Sequence, residues 1–288
     1  MILLLDHLRE EQAKTFGLVL ASSGIHYLMV SDNAKWTIWV HEEEKETALA
    51  SINTYLIENT LTRHKPQTVE YPFPKSYSGI FAAFLLSVMH AAIYSGKVPR
   101  AFIDVYGASA EKIVSGEWYR AVTALFIHVD IVHLLGNMIF TSIFCTAFCR
   151  IAGNGAGWFL ILLTGIFGNI VNAYVYGSHH FAVGASTAIF GAIGLLSAIQ
   201  VIRKIRHKSS EILNAFIPLG GGIALLAFLG AGKRADILAH MFGFLFGVGF
   251  GCIYGFAVRK AFSPLMQYIF LGVVFLVILS AWYWGWQA

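Results

Sequence analysis

From residue 78 to the C-terminus the chain consists of apolar runs separated by short polar stretches, and each run is long enough to cross a lipid bilayer. A spanning helix needs about 20 residues, because the hydrocarbon layer is about 30 Å thick and a helix rises 1.5 Å per residue. The runs lie near 78–95, 126–149, 156–176, 184–202, 212–231, 236–258 and 265–286, which predicts seven spans. No water reaches the backbone inside lipid, so each span must satisfy its own peptide groups and is predicted to be helical. Composition agrees: 57% of the residues are hydrophobic and 12% charged, about half the charge of a soluble domain. The fold class expected is therefore an all-α polytopic membrane protein.

Residues 1–76 differ in kind. They hold seven Lys/Arg against ten Asp/Glu, whereas residues 77–288 hold thirteen against six. Residues 8–23 read as an amphipathic helix ending at Gly24. Residues 25–40 alternate around Ser31-Asp32-Asn33 and read as a hairpin. Residues 42–59 read as a second helix, with Ala48, Ile52, Tyr55 and Leu56 at helical spacing. A small soluble α-β-β-α cytoplasmic domain over 1–65 follows, with Pro66, Pro72 and Pro74 marking a linker over 66–77. A six-span core over 78–258 and an extra C-terminal span over 259–288 complete the predicted organisation. The start, Met1 to His7, lacks a basic region and its apolar run stops at Asp6, so it does not read as a signal peptide.

The charges also predict orientation. Residues 203–208 contain Arg203, Lys204, Arg206 and Lys208, and Arg150 and Arg259-Lys260 fall on the same side. The opposite short loops hold Lys233 and Arg234 alone. The basic side is cytoplasmic, which puts the N-terminus inside and the C-terminus outside. Trp282, Tyr283, Trp284 and Trp286 then form an interfacial aromatic belt, and 96–120, with Trp118 and Tyr119, reads as an external loop partly embedded in the outer leaflet. Basic residues confined to short loops argue for lipid, and against nucleic acid, as the partner.

Polar groups inside spans cost free energy and so are candidates for function. His128, Asp130, His133 and Asn137 fall in the second run, Ser186 starts the fourth, and Asp236 and His240 start the sixth. By the predicted topology all lie in the outer half of the membrane. His133 and Asn137 are spaced i, i+4 and share a helix face. They could donate to an oxyanion or serve as hydrogen-bonding glue between helices. Ser186 follows Gly184 and precedes Gly191 and Gly194, a context equally suited to packing. Gly243, Gly247, Gly251 and Gly255 follow His240 at period four. This groove for the fourth span would bring His240 against Ser186, and such a pair makes an activated nucleophile. Asp236, one turn before His240, reads as a helix cap or a partner of Lys233 and Arg234. Cys145, Cys149 and Cys252 read as buried thiols.

Taken together, His-x4-His-x3-Asn, Gly-x-Ser and His-x2-Gly-x3-Gly, each in its own span, resemble the rhomboid protease family over roughly residues 78–258. The resemblance implies a six-helix bundle, here with a seventh helix added. It also implies an intramembrane serine endopeptidase of a bacterial inner membrane, acting on transmembrane proteins without cofactor or metal. Ser186 and His240 would be the catalytic dyad. His133, Asn137 and the Ser186 N–H would form the oxyanion hole. His128 and Gly184 would support the site, and Phe190 would pack under His240. Glu117, Arg120 and Thr123 match the loop before the second span, where an aromatic–Arg pair shapes the external loop. Two positions depart from the pattern. Thr187 stands where a small Gly is usual, and Tyr119 precedes the Arg where Trp is usual, with Trp118 displaced by one. Two other readings are a rhomboid-like protein without activity that escorts membrane clients, and a transporter. The second requires polar groups at mid-bilayer and an internal repeat, neither of which the sequence contains.

Overall fold

The structure is a computed structural model describing residues 1–32, 35–62, 73, 75–96, 101–206, 217, 220–224, 236–258 and 260–287. The chain divides into two compact units, Met1–Glu70 and Tyr71–Ala288.

The first unit runs β1 (Ile2–Leu8), α1 (Glu10–Ser22), β2 (Tyr27–Asp32), β3 (Lys35–Val40) and α2 (Lys45–Thr62). Glu10 and Glu11 favour the positive N-terminal end of α1. The Gln12 side chain accepts the Arg9 N–H at 3.1 Å. The sheet is antiparallel with order β1-β3-β2. Ile38 and Val40 of β3 join Leu20, Ile25, Ala48 and Ile52 in one buried core. The predicted α-β-β-α order therefore needs correction to β-α-β-β-α. The pairing of β1 with β3 shifts register between Leu3 and Leu5 and again between Leu5 and Leu8. Those shifts break the period-two alternation by which a half-buried strand is read.

The second unit is helical. Five helices are long and apolar enough to cross a bilayer. They are α7 (Ile131–Ala152), α8 (Asn154–Tyr176), α9 (Ser186–Arg206), α10 (Ile237–Ala257) and α11 (Pro264–Gln287). The shorter apolar α3 (Ser78–Tyr94) has 17 residues, at the lower end of spanning lengths. Six of the seven predicted runs are thus apolar helices, and most of the fifth, 212–231, lies outside the described residues. The protein is an integral, multi-pass membrane protein.

Of the five spanning helices described, α11 is the least buried and α9 the most. Its contact with α10 is a seam of small residues. A side chain on Gly247 would strike the Gly191 carbonyl, and one on Gly251 would come within 2.9 Å of the Leu195 carbonyl. This is the close approach that the period-four glycines predict.

The stretch read as an external loop contains α4 (Ala101–Tyr106), β4 (Ala108–Ser109), α5 (Ala110–Val114) and α6 (Arg120–Thr123). Strand β5 (Phe181–Ala182) pairs with β4. One further correction concerns the second span. His128 and Asp130 precede α7 instead of lying within it. The Asp130 carboxylate accepts the His133 N–H at 2.8 Å and caps the helix, so the chain ahead of it is extended.

Candidate active site

Ser186 opens α9, and the residues before it are held by backbone bonds on two sides. The Ala110 N–H donates to the His180 carbonyl at 2.9 Å, and the Gly184 N–H donates to the Ala124 carbonyl at 2.9 Å. The Ala185 N–H reaches His128 Nε2 at 3.4 Å. His128 is fully buried, so the structure sets it beneath the turn that presents Ser186. Gly184 has φ +128, in the region where a side chain is strained. A Cβ there would also lie 2.7 Å from the His133 ring. Glycine is needed at this position for both reasons.

His240 follows one turn after Asp236, which caps α10 by accepting the Ala239 N–H at 3.0 Å. Gly243 abuts the Thr187 carbonyl and Gly247 the Gly191 carbonyl, so α10 lies close along α9. That approach brings His240 Nε2 to 2.8 Å from Ser186 Oγ. The imidazole stacks on Phe190, with centroids 4.6 Å apart and planes at 23°. His240 Nδ1 is buried and has no hydrogen-bond partner among the described residues. Asp236 is engaged elsewhere: its Oδ2 accepts from His180 Nε2 at 2.6 Å and from Asn172 Nδ2 at 2.7 Å. The expected capping role is present, and Lys233 and Arg234 lie outside the described residues. Ring stacking, with no carboxylate on Nδ1, orients the histidine.

His133 and Asn137 project from α7 towards the same place. Asn137 Nδ2 donates one hydrogen to the His133 carbonyl at 2.9 Å, which leaves the second amide hydrogen for another acceptor. The ring of His133 lies against Gly184 and meets His128 edge-on, with centroids 5.1 Å apart. His133, Asn137, Ser186, Phe190 and His240 line one cleft of about 1170 Å³. Small-molecule pockets run to about 1,000 Å³, so this cleft has room for an extended peptide segment.

Thr187 is buried, and its methyl group lies 2.6 Å from where a Cβ on Gly168 would stand. The bulk absent from Gly168 on α8 is therefore what admits the threonine. The other departure resolves in a similar way. Trp118 is exposed, whereas Tyr119 is buried and takes the inner position. Arg120 is 1% exposed. Its Nε donates to Glu117 Oε2 at 2.6 Å, and its Nη1 donates to the carbonyls of Asp104 at 2.6 Å and Gly107 at 3.1 Å. Tyr119 donates to the same Glu117 oxygen at 2.9 Å, and Thr123 donates to the Tyr106 carbonyl at 2.6 Å. Burial, reinforced by the bond to Glu117, pushes the Tyr119 hydroxyl up to about 12. Burial opposes ionisation of Glu117, but the Arg120 and Tyr119 donors hold its carboxyl below the ordinary value.

Sequence reasoning missed four polar residues around this site. Asn169 donates to the Ala121 carbonyl at 3.0 Å, tying α8 to the external segment. Asn172 and His180 meet Asp236, and His90 Nδ1 donates to the His128 carbonyl at 3.2 Å. Asn169, Asn172 and His90 sit inside apolar runs, so the cost of a polar group in lipid was an available signal. His180 lies between runs and carried none.

Residues 115–257 match the rhomboid domain family. Rhomboid-like protease 3 of Toxoplasma gondii is 33% identical over 47% of this chain and 51% of its own length. Rhomboid-like protein 11, chloroplastic, of Arabidopsis thaliana is 37% identical over 35% of this chain and 34% of its own. Rhomboid protease GluP of Bacillus subtilis is 28% identical over 52% of this chain and 30% of its own. The chain thus spans about half or less of the length of these relatives. The family is one of intramembrane serine proteases that also includes inactive members. With its helical membrane fold and its matching domain, the chain belongs to the rhomboid family.

Proposed function

We propose that the chain is an intramembrane serine endopeptidase that hydrolyses peptide bonds in or near the transmembrane segments of other proteins. The observation that carries this reading is the 2.8 Å contact between Ser186 Oγ and His240 Nε2. In the reaction Ser186 Oγ attacks the scissile carbonyl carbon while His240 Nε2 takes its proton. The carbonyl oxygen becomes an oxyanion that the Ser186 N–H, Asn137 and His133 stabilise. Collapse breaks the C–N bond, and the imidazolium returns the proton to the leaving amine. Water, deprotonated by the same histidine, then hydrolyses the acyl-enzyme and frees the serine.

Phe190 takes the orienting role that a carboxylate has in a triad. Substrates are expected to unwind before cleavage, since a helix hides its carbonyls. Helix breakers near the outer end of a substrate's span lower that cost. An inactive, client-binding relative would lack a reason to keep both Ser186 and His240.

A fluorophosphonate probe and cleavage of a single-span model protein test this reading together. The full chain should take up the probe at Ser186 and cut the substrate, and Ser186→Ala should do neither while melting like the parent. Cleavage by a well-folded Ser186→Ala would overturn the assignment.

The orientation proposed is N-terminus inside and C-terminus outside. Arg203, Lys204 and Arg206 end α9, and Arg206 donates to the Phe256 carbonyl near the end of α10. A reporter active only outside the cytoplasm should work when fused after Ala288 and fail when fused after Lys208. The opposite pattern would put the cleft on the cytoplasmic side.

A further inference from the structure

The glycine seam fixes how closely α10 approaches α9, but backbone packing alone leaves one helix able to slide or rotate along the other. A second contact lies at the end of the seam nearest the cleft. Asp236 Oδ2 accepts from His180 Nε2 at 2.6 Å and from Asn172 Nδ2 at 2.7 Å, and Asp236 Oδ1 caps α10. Each of the three residues belongs to a different part of the site. Asn172 is in the last turns of α8. His180 lies six residues before Ser186, and its own carbonyl accepts the Ala110 N–H. Asp236 begins the helix that carries His240, whose N–H donates to the Asp236 carbonyl at 3.1 Å. Tyr176, the last residue of α8, lies flat on the His180 ring, with centroids 3.7 Å apart and planes at 6°. The side chains of His180 and Asp236 are 20% and 13% exposed, so water competes little for these bonds.

We infer that His180 is a positioning residue: through Asp236 it locks the start of the His240 helix to the segment that presents Ser186. A hydrogen bond is directional where glycine packing is not, so the clamp supplies the restraint that the seam lacks. A shift of about 1 Å between reacting groups can cost on the order of 100-fold in rate. The inference rests on the proposed protease reading. His180, Asp236 and Tyr176 line the rim of the same cleft, but the clamp acts on the alignment of His240 with Ser186, so it predicts a fall in kcat much larger than any change in KM.

The test uses the purified full chain and three substitutions. His180→Ala removes ring and donor. His180→Phe keeps a ring to stack on Tyr176 but has no N–H. His180→Gln places an amide N–H near the position of the imidazole Nε2. Three readouts are taken: the rate of fluorophosphonate labelling, kcat and KM on a single-span model protein, and melting temperature. The expected result is a 10- to 100-fold loss of kcat and labelling rate in Ala and Phe, with KM within about threefold. Gln should recover most of that loss, and Phe should melt close to the parent. A Phe variant with the parental kcat, or a Gln variant as slow as Phe, overturns the clamp. If Ala fails to fold, the Phe and Gln pair decides alone. Failure of the parent chain itself to label or cut would instead overturn the protease reading, so the two failures are distinct.

Discussion

The core of the first unit and the seam between α9 and α10 are built from opposite materials. Leu20, Ile25, Ile38, Val40 and Ile52 fill the first. Gly191, Gly243, Gly247 and Gly251 form the second, with backbone almost on backbone. In water, large side chains are useful because each apolar Å² buried contributes about 25 cal/mol. In lipid the surroundings are as apolar as leucine, so burying leucine gains little and helices hold by close packing and hydrogen bonds. The comparison teaches where each region is vulnerable. A water-built core fails when atoms are removed, and a lipid-built seam fails when they are added.

The largest effect should therefore come from adding bulk to the seam. Gly247→Leu pushes α10 off the Gly191 carbonyl and separates His240 from Ser186. Labelling and turnover should fall by more than about 100-fold. A parental labelling rate would break the comparison at its centre. Next in size is Asn137→Ala, which leaves the seam untouched but removes one of the proposed oxyanion donors. It should lower kcat by about 10- to 100-fold, less than the roughly 10²–10³-fold that loss of a single donor can cost, because His133 and the Ser186 N–H remain, with melting temperature close to parental. A melting temperature that drops in step with activity would make Asn137 helix glue instead.

The smallest effect on turnover should come from the opposite kind of change in the other unit. Ile38→Ala opens a cavity in the first unit and should destabilise it by about 2–5 kcal/mol, seen as earlier proteolysis of residues 1–70. Cleavage of a detergent-solubilised substrate should stay within about twofold of the parent, because no catalytic group lies there. A large loss of turnover would mean that the first unit takes part in the membrane body's work, and the contrast between the two regions would have to be redrawn.

The features that were legible in the sequence are those whose physics is local. Spanning length and the need to satisfy every backbone group made the helices readable one run at a time. Gly243 to Gly255 were readable because period four is one helix face, and the seam they form does face Gly191. Other features were hidden by local competition. Asp130 captures the His133 N–H and starts the helix only after His128, although the apolar run begins before both. The β1 pairing carries register shifts that erase the alternation.

The sequence alone determined the solvent of the membrane body, the helical nature of its six described apolar runs, and some of the polar side chains that meet around the cleft, because each follows from composition or spacing within about 20 residues. The tertiary structure decided which of those side chains meet. Ser186 and His240 are 54 positions apart, and His180 and Asp236 are 56 apart. Thr187 fits because Gly168, on another helix, lacks a side chain. Such pairings depend on how helices pack across space, and no period along the chain encodes a distance between two helices.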